Sequence, residues 1–179
     1  MADTFKGEVK LSIGWKWTTD GGVIDDDKVS YWKKWADGYA DNQAEAAWIV
    51  ESGTLLEDGS VTYDLTALTR TLFGDTTTIT LTRIKGLIIV NKNTTAIGKL
   101  VVGNAAANAW SAPWRCDGTD TTITTDVLPD SPLVLANRQD GWDVSATQKN
   151  ILLTARNGAV TYDIAVVGTV SSTGIGSSS

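Results

Sequence analysis

The sequence predicts an all-β chain, a single β-sandwich or jelly roll with hairpins, and three observations lead there. Threonine is abundant, proline is limited to three residues and glycine is scattered at turn spacing, a balance that favours short strands over helices. Val9, Leu11, Ile13, Trp15 and Trp17 alternate with Glu8, Lys10, Ser12, Gly14 and Lys16, the period of a half-buried strand. The third observation is a phrase written twice: "EDGSVTYDL", Glu57 to Leu65, returns as "RNGAVTYDI", Arg156 to Ile164. Each copy carries a dipeptide, Asp58-Gly59 or Asn157-Gly158, that tolerates the positive φ of a type I′ turn. Each is expected to close a hairpin. After the second turn, Val160, Tyr162, Ile164 and Val166 fall on one strand face and Thr161, Asp163 and Ala165 on the other.

In chain order, residues 1–7 read as an extended N-terminal arm, residues 8–168 as the sandwich domain and residues 169–179 as a flexible Gly/Ser tail. The alternating run from Glu8 to Trp17 is the first strand, followed by the polar turn "TDGGVIDDDK". From Val29 to Ala47, Trp32, Trp35 and Tyr39 fit a helical stripe, but Gly38 interrupts it and Tyr31-Trp32 suits a strand, so strand, loop, strand is favoured over a helix. Further strands are expected at Glu45–Ser52, Ser60–Leu65, Thr76–Ile84, Leu87–Asn91, Lys99–Gly103, Thr119–Thr125, Pro132–Ala136, Trp142–Ala146, Ile151–Ala155 and Ala159–Gly168. "GNAAANAWSAPWRCDG" reads as a long loop of small residues carrying Trp110 and Trp114.

A chain of 179 residues can bury a sizeable core, and no apolar run approaches the roughly 20 residues that would cross a bilayer. The start "MADTFKGEVKL" lacks an apolar signal core, which predicts synthesis in the cytoplasm without export, and no membrane partner. A net charge of −6 is the wrong sign for a protein that holds a phosphate backbone, so no nucleic-acid partner is expected. The chain has no histidine and one cysteine. That removes the usual general base, the usual zinc ligand and every Ser-His or Cys-His nucleophile pair. A non-enzyme is expected, with no catalytic, cofactor-binding or metal residues.

Asp20 and Asp25-Asp26-Asp27 could gather calcium, but they lack the spaced acidic loop of an EF-hand and read as a solvated turn. Two carboxylates could serve a glycosidase, yet nothing singles out a pair among 21 acidic residues. The eight tryptophans are a more informative excess, because an indole can stack on a sugar or anchor an interface. Trp15 and Trp142, in strand patterns, are expected to be core. Trp110 and Trp114, in the loop, are candidate partner contacts, with Thr4 and Phe5 of the arm. Cys116 reads as inert.

From Ala40 to Gly168 the ordered phrases "ADNQAEAAW", "YDLTALTRTLFGDTTTITLTRIKGLIIVNKNTT", "LVVGNAAANAW", "VLPDSPLVLAN", "GWDVSA", "NILLTARNG" and "VTYDIAVVG" resemble small structural proteins of tailed-bacteriophage virions. The resemblance implies a capsid decoration (cement) protein on the outer capsid surface, a homo-oligomer, trimer or dimer, whose partner is the major capsid protein. The acidic charge suits a position away from packaged DNA. The alternative from another class is a carbohydrate- or receptor-binding domain of a phage head or tail fibre, with tryptophans stacked on glycans.

Overall fold

The computed structural model describes residues 4–72, 75–114 and 122–170, and strands dominate them. They are β1 (Gly7–Thr19), β2 (Gly22–Asp37), β3 (Gln43–Ala44), β4 (Ala46–Leu55), β5 (Ser60–Asp64), β6 (Leu68–Leu72) and β7 (Asp75–Ile79). After these come β8 (Leu81–Asn91), β9 (Lys99–Gly103), β10 (Thr124–Val127), β11 (Ser131–Ala136), β12 (Trp142–Asp143), β13 (Asn150–Arg156) and β14 (Val160–Val170). One short 3-10 turn, Ala112–Trp114, lies between β9 and β10. The chain is all-β, as its composition predicts. Strand, loop, strand holds between Val29 and Ala47, and β6 is a strand that periodicity did not reveal. The first three residues of the strand expected at Thr119–Thr125, Cys116, and the tail from Ser171 lie outside the described residues.

Two antiparallel sheets form the sandwich. One runs β10-β9-β13-β5; the other runs β11-β8-β14-β4, with β12 also on β8. Their facing sides alternate as a pleat requires: Ile151, Leu153 and Ala155 of β13 and Val160, Tyr162, Ile164 and Val166 of β14 are buried in one shared core with Leu100, Val102, Leu87 and Ile89. Asn91 is a buried polar group inside this core, and its amide donates to the carbonyls of Gly98 and Val127 at 2.9 and 3.1 Å. Both donors are thereby satisfied, which offsets the cost of desolvating them.

The repeated phrase has a tertiary reason, and it is not two hairpins. At Asp58-Gly59 the chain leaves β4 in one sheet and enters β5 in the other; at Asn157-Gly158 it crosses back, from β13 to β14. The positive-φ residues are there, Asp58 at 59°, Asn157 at 60° and Gly158 at 134°, but they turn the chain between layers. The two crossings lie side by side. Leu55 pairs with Val160 and Ser60 with Thr154, so each arriving strand pairs with the departing strand of the other crossing. Arg156 reaches Asp58 at 2.5 Å across them.

The matching letters then meet in pairs. The hydroxyls of Tyr63 and Tyr162, 99 positions apart, stand 2.6 Å from each other between the sheets. The matching aspartates each hold a lysine: Asp64 with Lys149 at 2.5 Å and Asp163 with Lys92 at 3.3 Å. The phrase recurs because both layers supply one half of the same interior contact.

Candidate functional site

β1 and β2 belong to neither sandwich layer. They form a long ribbon closed by Asp20-Gly21, with Thr19 opposite Gly22, and among the described residues its base joins the body through the parallel pairing of β2 with β3. An Asp-Gly dipeptide between two strands is a hairpin signal, and here it acts as one. The register places Trp35, Leu11, Tyr31, Ile13, Val29 and Trp15 on one face, with Lys33 opposite Val9 and Asp27 opposite Trp15 at either end of its apolar middle, because directly opposed residues share a face. The other face carries Glu8 opposite Lys34, Lys10 opposite Trp32 and Lys16 opposite Asp26.

Exposure rises along the apolar face from the base as far as Ile13 and Val29. Trp35 is 4% exposed at the base, Leu11 and Tyr31 are 38% and 39% exposed midway, and Ile13 and Val29 are 75% and 67% exposed beyond them. The base is anchored on the body. The Trp35 ring covers Gly86 of β8, 3.1 Å from where a Cβ would stand, so a side chain there would have to push the indole back by a few tenths of an ångström. Arg138 donates from Nε to the Lys34 carbonyl at 3.0 Å and from Nη1 to Asn42 Oδ1 at 2.5 Å. Phe5 N–H donates to Asp37 Oδ1 at 3.1 Å.

Trp15 and Trp32 are exposed and tied through their indole N–H groups, whereas the Nε1 of buried Trp35 has no hydrogen-bond partner among the described residues. Trp15 Nε1–H donates to Asp25 at 2.6 Å, and Trp32 Nε1–H donates to Glu8 at 3.0 Å. Lys34 stands 5.0 Å from the Trp32 ring centroid, a cation–π contact. Trp15 and Trp32 lie on opposite faces, so they do not make one stacking platform. The pleat likewise sends Asp25 and Asp27 to one face and Asp26 to the other, which disperses the acidic run.

The residues singled out from the sequence separate. Thr4 is exposed and Phe5 is half-buried beside Gly7 at the ribbon's base. Trp110 is 1% exposed, which corrects its reading as a partner contact. Its Nε1–H donates to the Asp143 carbonyl at 3.0 Å, and its ring meets the edges of Trp114 and Trp142 at centroid distances of 5.8 and 6.4 Å. Trp114 is half-buried against the same core. The loop that carries them is held to β13, where Asn108 O accepts from Lys149 N–H and Asn150 N–H, each at 2.9 Å. Trp15, expected in the core, is 46% exposed on the ribbon. Reading Asp20-Gly21 as a tight hairpin would have found the ribbon but not its face: that turn alone sets Leu11 against Ser30 and Ile13 against Lys28, and the irregularity between Trp17 and Thr18 shifts the register by one to set Leu11 against Tyr31 and Ile13 against Val29.

Charges within the body are perturbed where they are paired. Burial pushes the Asp64 carboxyl up, but hydrogen bonds from Lys149 and Thr66 outweigh it and hold it below the ordinary carboxylate range. The Ser52 N–H, 2.7 Å from Asp163, holds that carboxyl down, with Lys92 adding to the effect. Lys85 has no solvent exposure and its ammonium donates to the Gln139 carbonyl at 2.5 Å. Desolvation, with Arg83 nearby, lowers its pKa against the opposing pull of Asp41 and Asp140. These groups tie strands and loops together.

No protein-family model, curated protein or solved structure matches the chain.

Proposed function

We propose that the protein is a non-enzymatic virion structural protein, a capsid decoration (cement) protein that binds the outer surface of a tailed phage's major capsid shell and stabilises it. The observation that carries this reading is the β1–β2 ribbon, two strands of 13 and 16 residues that stand outside the sandwich with aliphatic and aromatic side chains uncovered. A contiguous exposed apolar surface marks contact with another macromolecule. A decoration protein needs contacts of two kinds, between its own copies and to the shell, and repetition over a symmetric surface multiplies modest contacts through avidity. The phage assignment rests on the ordered phrases from Ala40 to Gly168, and the charge of −6 suits a place outside the packaged DNA.

The test adds purified protein to capsids that lack it. Saturable binding at symmetry-related positions and a higher capsid disruption temperature are expected, with binding at least tenfold weaker when residues 9–33 are replaced by a short turn. Absence of binding by the wild-type chain overturns the reading. In a glycan-binding protein, the alternative class, host glycans would quench or shift the fluorescence of exposed Trp15 and Trp32, with no capsid present.

A further inference from the structure

Every copy of the chain carries two uncovered apolar surfaces. One is the distal ribbon face, with Leu11, Tyr31, Ile13 and Val29. The other is the outer face of the β11-β8-β14-β4 sheet, on the side away from the core. There the register lines up Ile49, Ala165, Ile88 and Val134 in one row across four strands. Ile49 and Ile88 are 42% and 39% exposed, although both sit in the middle of well-paired strands. A solvated sheet face ordinarily carries polar residues at such positions.

These two surfaces already touch within one chain. Gly86, which Trp35 covers, lies on the same outer face in the next row, opposite Val167 and Ala136. Trp35 itself lies on the same ribbon face as Leu11 and Ile13. The contact therefore has a seated first residue, after which the ribbon departs and both surfaces continue bare.

We propose that the apolar face of the β1–β2 ribbon of one copy lies on the outer face of the β11-β8-β14-β4 sheet of a second copy, extending between chains the contact that Trp35 begins within one. The area fits reciprocal exchange better than a single contact. The stretch from Val9, half-buried, to Trp15 is roughly 25 Å long, with Lys33 and Asp27 at its ends, and the ribbon is roughly 10 Å wide, so one such contact buries on the order of 500 Å² counting both partners. Two, exchanged about a two-fold axis, approach the lower limit of about 1,200 Å² for specific interfaces, and the ribbon's flanks add to this. A closed ring of three, each ribbon on the next copy, satisfies the same surfaces. An isolated two-stranded ribbon is at best marginally stable in water, so the second copy would also fix the ribbon's shape.

This deepens the decoration reading by naming the ribbon's partner, and it is tested without capsids, so the two can fail separately. Purified wild-type chain should sediment as a dimer or trimer that dissociates on dilution. Ile13→Asp with Val29→Asp should weaken association at least tenfold while leaving the far-ultraviolet spectrum and thermal midpoint of the body unchanged, because both side chains stand off the core. Ile49→Asp, on the receiving face, should do the same. In a Cys116→Ser background, Ile13→Cys and Ile88→Cys chains should form a mixed disulfide when combined and oxidised. A monomeric wild type throughout the micromolar range, an oligomer that survives the ribbon substitutions, or an intrachain disulfide in a chain carrying both cysteines would each overturn it.

Discussion

Tyr63 and Tyr162 show how much a single pair of atoms can report. Each hydroxyl finds the other at 2.6 Å between the layers, so removing one leaves its partner short of a bond. Tyr63→Phe and Tyr162→Phe should each cost about 1 kcal/mol, and the double variant should cost less than their sum, a non-additivity that denaturant unfolding measures. Burial, then the hydrogen bond with Tyr162, raises the Tyr63 pKa above its ordinary value near 10. The unfolded chain therefore releases this proton first. Stability contributed by the protonated pair is complete below about pH 10 and falls as pH rises further, and the fall should be shallower in Tyr63→Phe than in wild type. Gly158 makes a separate point. Its φ of 134° is one that a β-branched residue rarely adopts, and a Cβ there would stand 2.6 Å from the Ile97 side chain. Gly158→Val should destabilise by about 1–3 kcal/mol in the same measurement.

Among the elements, the loop before the 3-10 turn and the ribbon exchange the roles that their residue types suggest. Trp110 lies in a loop of alanines and asparagines, yet it is core because Asn108 bonds to β13 and leaves the indole between Trp114 and Trp142. Trp110→Ala should cost about 3–5 kcal/mol of folding stability in thermal or denaturant unfolding, the range for an emptied aromatic site. Trp15 lies in an unbroken alternating strand, yet it is exposed because the partner of that strand is another ribbon strand with no second layer beneath it. Replacing residues 9–33 by a short turn that keeps Trp35 on Gly86 should leave the unfolding midpoint of the sandwich within a few degrees of wild type. A loss of more than about 3 kcal/mol would show that the ribbon supports the body.

Over the whole molecule, stability is unevenly placed. β8 and β14 pair along almost their full length, and their inward side chains share one core with β9 and β13. Among the described residues the ribbon has one hydrogen-bonded neighbour per strand for most of its length and no core of its own. Amide hydrogen exchange should therefore divide the chain. Amides of β8, β13 and β14 should exchange only through global unfolding, while those from Lys10 to Lys33 exchange through local opening. Slow exchange at high protein concentration that becomes fast on dilution would mark the ribbon as covered by a second copy.

The letters of the chain alone determined its class: threonine, scarce proline and two-residue alternation lead to strands wherever side chains must face water on one side and core on the other. Lys99–Gly103 was legible to the residue, and β13 and β14 to within two residues at either end, because strong alternation and a turn dipeptide bound them. Which sheet each strand joins was decided by tertiary structure. The backbone at Asp58-Gly59 or Asn157-Gly158 can close a hairpin or pass between layers, and the crossing observed here goes with long-range pairing and the Tyr63–Tyr162 contact, which no local propensity encodes. The candidate site was hidden for the same reason. Alternation shows that a strand has an apolar face, but only the arrangement of the other layers settles whether anything in the same chain covers it.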